Sequence, residues 1–184
     1  MTSIVFDKSK SFLLFLVFWA VAPSGFAQVG KPQKIQPDSL IAAAREIIGL
    51  QKYCALVTID SAGRPDLRTM NPFPPEDDMT VWMATNSRSR KANDIRHNPT
   101  VCLYYADHGR ATGYVTITGK AYLVDDMNEK LKRKREYWTQ AFPDWKFLVL
   151  IKVVPEKMEV VNYRRGIVSD SLTWKAPTVE FRIR

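Results

Sequence analysis

Residues 81–105, VWMATNSRSRKANDIRHNPTVCLYY, decide how this chain is read. Val81 to Thr85 is apolar and β-prone, and Val101 to Tyr105 returns to the same composition. Between them, Ala92 to His97 has the pattern of a brief helix and Asn98-Pro99 turns the chain. The connecting loop, Thr85-Asn86-Ser87-Arg88-Ser89-Arg90-Lys91, gathers hydroxyls and three cations where the helix should begin. The first N–H groups of a helix lack backbone acceptors, and together with hydroxyls and basic side chains they make a cradle for phosphate. The plainer reading is a Ser-capped helix whose Arg and Lys side chains lie in water.

Outward from this stretch the pattern is mainly β. Upstream, Tyr53 to Ile59 is apolar nearly throughout and reads as a strand buried on both sides. Ser61-Ala62-Gly63-Arg64-Pro65 supplies a turn, Asp66 to Phe73 a second strand carrying Arg68, and Met79 to Thr85 a third. Downstream, Gly113 to Val124 is a long strand with Gly119 at a bulge or bend. Phe147 to Val154 and Met158 to Tyr163 read as a strand pair around Pro155-Glu156-Lys157. Helices are expected from Asp38 or Ser39 to about Gln51, on the spacing of Leu40, Ile41, Ala44, Ile47 and Ile48, and over residues 126–139. The run Lys130-Leu-Lys-Arg-Lys-Arg135 then reads as the solvated face of the second helix. Short strands with irregularly placed helices predict an α+β, mainly β protein: a six-stranded antiparallel barrel with flanking helices.

At 184 residues the chain has room for one sizeable core, and an apolar content of 46% excludes wholesale disorder. The formal charge of +8 favours anionic partners without choosing among them, and no zinc-finger or RNA-recognition signature accompanies it. Nucleic acid is therefore not an expected partner. Cys54 and Cys102 sit in strand-like runs with no CxxC, and with only His97 and His108 beside them no metal site is expected.

The termini complete the division of the chain. Lys8 and Lys10 precede an apolar run of eleven residues, Phe12 to Ala22, and Gly25 and Ala27 fit the −3 and −1 positions of a signal-peptidase site. The run falls short of the roughly 20 residues that span a bilayer. The expectation is a cleaved signal peptide, residues 1–27, and a periplasmic or secreted product with no stable membrane anchor. Residues 28–37 read as a polar linker, 38–165 as the barrel domain and 166–184 as an extended tail whose Trp174 and Phe181 dock on a surface.

The pieces also occur in a telling order: Asp60-Ser-Ala-Gly-Arg-Pro65, Arg68-Thr-Met70, Ala84-Thr85-Asn86, Ser89-Arg90-Lys91-Ala92, Asn98-Pro99-x-Val101, Thr118-Gly119-Lys120-Ala121 and a closing LTWKAPTVEF. This order resembles the pyridoxamine 5′-phosphate oxidase-like split barrels, and within them the small general-stress-protein branch. The resemblance implies a homodimeric split barrel holding FMN in a groove between subunits. It assigns Arg68 to the FMN phosphate, and Thr69 and Met70 to the isoalloxazine. Ala84, Thr85, Ser89, Arg90 and Lys91 would complete the phosphate and ribityl contacts. Tyr114 stands where the oxidases carry a ring-contacting Gln, and the oxidases' pyridoxal-phosphate ligands find no match here. An FMN-dependent oxidoreductase with another small-molecule substrate follows, no catalytic acid or base being identifiable. The alternative is a carrier or sensor binding flavin, haem or deazaflavin in the same groove.

Overall fold

The computed structural model describes residues 35–181. The expected signal peptide and nearly all of the linker lie outside them. The first helix, α1 (Pro37–Gly49), opens on Pro37 at its first turn, where a missing N–H and a fixed φ cost nothing. Asp38 and Ser39 therefore lie inside the helix rather than capping it, and the expected linker loses its last residue. Leu40, Ala43, Ala44, Ile47 and Ile48 form the apolar stripe, buried against the sheet.

Six antiparallel strands follow: β1 (Cys54–Ile59), β2 (Pro65–Met70), β3 (Val81–Asn86), β4 (Thr100–Ala106), β5 (Gly113–Val124) and β6 (Leu148–Asn162). Their spatial order is β2-β1-β4-β5-β6-β3, so β2 and β3 are the two free edges of the curled sheet. A short seventh strand, β7 (Thr178–Glu180), comes from the tail and pairs with β6. Between β3 and β4 lies α2 (Arg90–His97), and after β5 come α3 (Met127–Lys132) and α4 (Trp138–Ala141).

The inner face is the main core: Leu56 of β1, Leu103 of β4, Ile117 of β5 and Val160 of β6 are fully buried there beside α1. Strand alternation places Ala55, Val57, Tyr104 and Thr116 on the outer face, where they are only half-buried. So β1 is covered on one side, not two as expected. The strand buried on both faces is the first half of β6, because a second core of Trp82, Trp138, Leu148 and Leu150 closes over it.

That second core corrects the reading of residues 126–139. The segment breaks into α3 and α4, and of the cations in the basic run only Lys132 and Lys134 are solvated. Lys130 is buried and paired with Asp125. Arg133 is buried against the Trp82 ring at 3.9 Å and pairs with Glu76 and Glu129. Arg135 stacks on Phe73 at 3.9 Å and donates to the carbonyls of Asn71 and Pro72. Long side chains lay their stems and planar heads over aromatics here, so the cations act as a lid on the second core.

The expected strand pair at 147–163 is one fifteen-residue strand, β6. Along its first half it pairs with β3, up to Val153 opposite Val81, and along its second half with β7, from Lys157 opposite Glu180. Pro155 falls in the gap between those partners, and the β5 ladder shifts there by one residue, from Thr118↔Lys157 to Gly119↔Pro155. A bulge between edge partners is where a strand tolerates a residue without an N–H. The expected bend at Gly119 is this bulge. The extra residue, Glu156, receives the Phe181 N–H on its carbonyl, which ties the tail to the sheet.

Register also decides the cysteines. Val57 pairs with Cys102, so Cys54, three residues earlier on β1, projects to the opposite face. Both thiols are free; Cys54 is buried in the core, and burial pushes it up to about 12. A chromogenic disulfide titrated against the native protein is expected to leave Cys54 unlabelled, its thiol appearing only in denaturant. A count of zero in the native protein, recovered by reductant, would show a bridge the fold does not allow.

Candidate functional site

The loop between β3 and α2 builds one half of the site. Ser89 adopts extended dihedrals as the N-cap of α2 and its Oγ accepts from the Ala92 N–H at 3.3 Å. The first-turn N–H groups of Arg90 and Lys91 are left without helical acceptors. Around them the Thr85 and Ser89 hydroxyls stand 3.2 Å apart, and Lys91 Nζ donates to Thr85 Oγ1 at 3.3 Å. Arg88 takes no part: its guanidinium stacks on Phe147 at 3.8 Å.

The other half comes from the opposite edge strand. Asp66 and Arg68 alternate along the inner side of β2, and Arg68 ion-pairs with Asp66 and, at 3.5 Å, with Asp94 of α2. It also donates to Thr58 Oγ1 at 2.5 Å, while the Thr58 hydroxyl donates to Asp94 at 2.7 Å. Arg90 reaches Asp66 at 3.7 Å. The free edges of the sheet are thus brought together through the start of α2, with three cations against two carboxylates and a surplus of one positive charge. Burial, and then the charges of Arg68 and Arg90, hold the Lys91 ammonium below the usual lysine range. An anion seated among the three relieves that repulsion. Beside these ion pairs is an open depression of about 440 Å³ lined by Asp60, Asp66 and Asp94 together with Arg64 and Arg90. Each of those carboxylates is already paired with an arginine, whereas among the described residues Lys91 has no carboxylate partner and donates to the Thr85 hydroxyl.

The remaining expected residues lie elsewhere. Ala84 faces the second core, on the opposite side of β3 from Thr85. Met70 is in the main core, so only its backbone is available to a ligand. Thr69 is exposed on the outer face, opposite Ala55, which separates it from Tyr104 in the row. Tyr114 is on that face too, its ring 5.9 Å from Tyr104, which in turn lies 6.0 Å from His108. Burial and the nearby Tyr114 push the Tyr104 phenol above its ordinary value. The site is therefore a charged seam at the sheet edges and an aromatic strip round the corner from it.

Sequence reading missed Thr58, Asp66 and Asp94, which aim Arg68. The signal was present for two of them: Asp66 is two residues from Arg68 on one strand face, and Asp94 is three from Lys91 on one helix face.

Comparisons with known proteins bear on the family and the fold. The sequence model of the pyridoxamine 5′-phosphate oxidase family matches residues 40–162. The chain is 27% identical over 125 residues to general stress protein 26 of Bacillus subtilis, covering 64% of this chain and 84% of that one. A crystal structure of a protein related to general stress protein 26, from Clostridium acetobutylicum, superposes with a TM-score of 0.63 at 17% identity, over 79% of this chain and 96% of that one. A heme binding protein from Mycobacterium smegmatis shares the fold at a TM-score of 0.56 and 14% identity, over 69% of this chain and 55% of that one. With the family's model matched across two-thirds of its length and the same split-barrel architecture, this chain belongs to the pyridoxamine 5′-phosphate oxidase family.

Proposed function

We propose that the protein is an exported FMN-binding oxidoreductase acting on a small molecule other than pyridoxamine phosphate. The observation that carries the reading is the convergence of Thr85, Ser89 and Lys91 at the start of α2, with Arg68 and Arg90 close by. This donor set suits a phosphate: hydroxyls and first-turn N–H groups bond oxygens, and the ammonium supplies a point charge. Arg68 is oriented before any ligand arrives, because Thr58 and Asp94 fix its guanidinium. Thr69 and Tyr114 offer the outer face to a planar ring. When bound, FMN supplies the hydride and electron chemistry, and the protein's part is to seat the phosphate, present the ring and exclude water.

A homodimer belongs to this reading. Ala55, Val57, Tyr104 and the 65%-exposed Leu67 leave the outer face partly apolar, as a surface closed by a second copy would be. The leader pattern of residues 8–27 supports export, so the flavin is acquired after translocation.

The second reading is a haem carrier or sensor. It is favoured by His108, exposed at the end of the Tyr114–Tyr104 row, where it could ligate a metal. Absorption spectra separate the two. Adding FMN to the purified protein should give flavin bands that stay with it through gel filtration. A Soret band on adding haemin, with no flavin retained, would move the assignment to the carrier.

The state of Lys91 sets a pH dependence. Its pKa is lowered in the free protein, and a bound phosphate raises it again by pairing with the ammonium. FMN affinity should therefore hold steady at neutral pH and fall in the alkaline range below the ordinary lysine value. A Lys91→Arg variant should hold its affinity across that range, since a guanidinium stays charged.

A further inference from the structure

A pocket of about 350 Å³ opens at the end of the barrel where α1 finishes, away from the phosphate cradle. Ile48 and Gly49 of α1, Phe73 and the prolines 72, 74 and 75 give it flat apolar walls. Two arginines brace the proline loop at either end. Arg45 donates to the carbonyls of Pro75, Glu76 and Asp77, and Arg135 to those of Asn71 and Pro72. Carbonyl dipoles satisfy the N–H groups but cancel no charge. Among the described residues neither arginine, nor Lys52 at the pocket's rim, is ion-paired, and no carboxylate lines the pocket.

Two buried donors lack an oxygen or nitrogen acceptor. The Tyr105 side chain is fully buried and lines the pocket, yet its hydroxyl has no oxygen or nitrogen partner. Its polar neighbour is the Cys54 thiol, a weak partner that burial keeps protonated. The Gln51 amide nitrogen, in the same lining, is also buried without an acceptor. Unmet donors in a buried site are costly unless something supplies an acceptor.

From three uncompensated cations, two orphan donors and ring-shaped apolar walls, we propose that this pocket binds a single-ring aromatic carboxylate. The volume is at the low end for ligand pockets and suits one ring, not a tetrapyrrole. The carboxylate oxygens meet Tyr105 Oη and Gln51 Nε2, and the ring lies against Phe73 and the prolines. This site stands apart from the flavin reading.

The test is calorimetric titration of the full-length protein with benzoate, benzamide and inorganic phosphate, with no flavin present, so that a failure here leaves the flavin assignment untouched. Benzoate is expected to saturate at one per chain, with benzamide and phosphate each at least tenfold weaker. Tyr105→Phe should weaken benzoate about tenfold or more, while the unliganded variant melts close to the native protein, because the hydroxyl removed had only a weak thiol partner. Lys52→Gln, on an exposed side chain, should weaken benzoate severalfold at low salt and serves if the first variant fails to fold. No saturable binding of benzoate, equal affinity for benzamide or phosphate, or binding unchanged by both substitutions would overturn the assignment.

Discussion

Arg68→Ala is expected to lower the stability of the protein by about 3 kcal/mol, the scale for removing one partner of a buried ion pair. The guanidinium is only 16% exposed and joins Asp66, Asp94 and Thr58. Without it the Asp94 carboxylate, 9% exposed, keeps a single hydroxyl donor from Thr58. An ion left under a helix without its counterion accounts for most of the loss. The double variant Arg68→Ala/Asp94→Ala should therefore be less destabilised than the sum of the two single ones, with a coupling of about 1–3 kcal/mol. Urea unfolding of the four proteins in the cycle measures it. Additive effects would mean that Arg68 does not brace the junction of β2 and α2.

Gly119→Ala should be at least as damaging, at about 3 kcal/mol or more, because nothing near it can yield. A Cβ there overlaps the Val154 carbonyl oxygen and stands 2.9 Å from the Val154 carbonyl carbon and 3.0 Å from the Pro155 Cα. These are backbone atoms of the β6 bulge, paired to β5 and fixed at either end where β3 leaves and β7 arrives. The alanine must either reopen the bulge or part the two longest strands. The expected result is a largely insoluble or cooperatively destabilised protein. Gly63→Ala serves as the comparison: its Cβ would meet nothing, so only the strain of a positive φ is added. Equal melting temperatures for the two variants would contradict the bulge geometry.

The contrast between these residues shows what the sequence made legible. Strand periodicity located β5 to the residue, and the glycine in its middle, Gly119, marked the place where β6 bulges against it. The Ser89 cap at the start of α2 was legible, because an N-cap and first-turn donors are set by neighbours a few positions apart. What depended on distant partners was hidden. Pro155-Glu156-Lys157 reads as a turn until β3 is seen to leave and β7 to arrive at that point. Lys130, Arg133 and Arg135 read as solvent-facing until Trp82 and Phe73, far earlier in the chain, slide beneath the two arginines. Asp94 reads as an ordinary charge on a short polar helix, and only the approach of β2 turns it into the buried anchor of Arg68. Whether Cys54 and Cys102 could pair was likewise a matter of strand register, which a sequence does not print.

The most direct test of the phosphate cradle is FMN affinity measured by flavin fluorescence quenching in the native protein and in Lys91→Ala and Ser89→Ala. The seat formed by Thr85, Ser89 and Lys91 predicts saturable binding in the native protein. It also predicts a loss of about 10- to 100-fold in Lys91→Ala, the value of a hydrogen bond to a charged group, and a smaller loss in Ser89→Ala. Native protein that leaves FMN fluorescence unchanged, or a Lys91→Ala variant that binds FMN as tightly as the native chain, would contradict it.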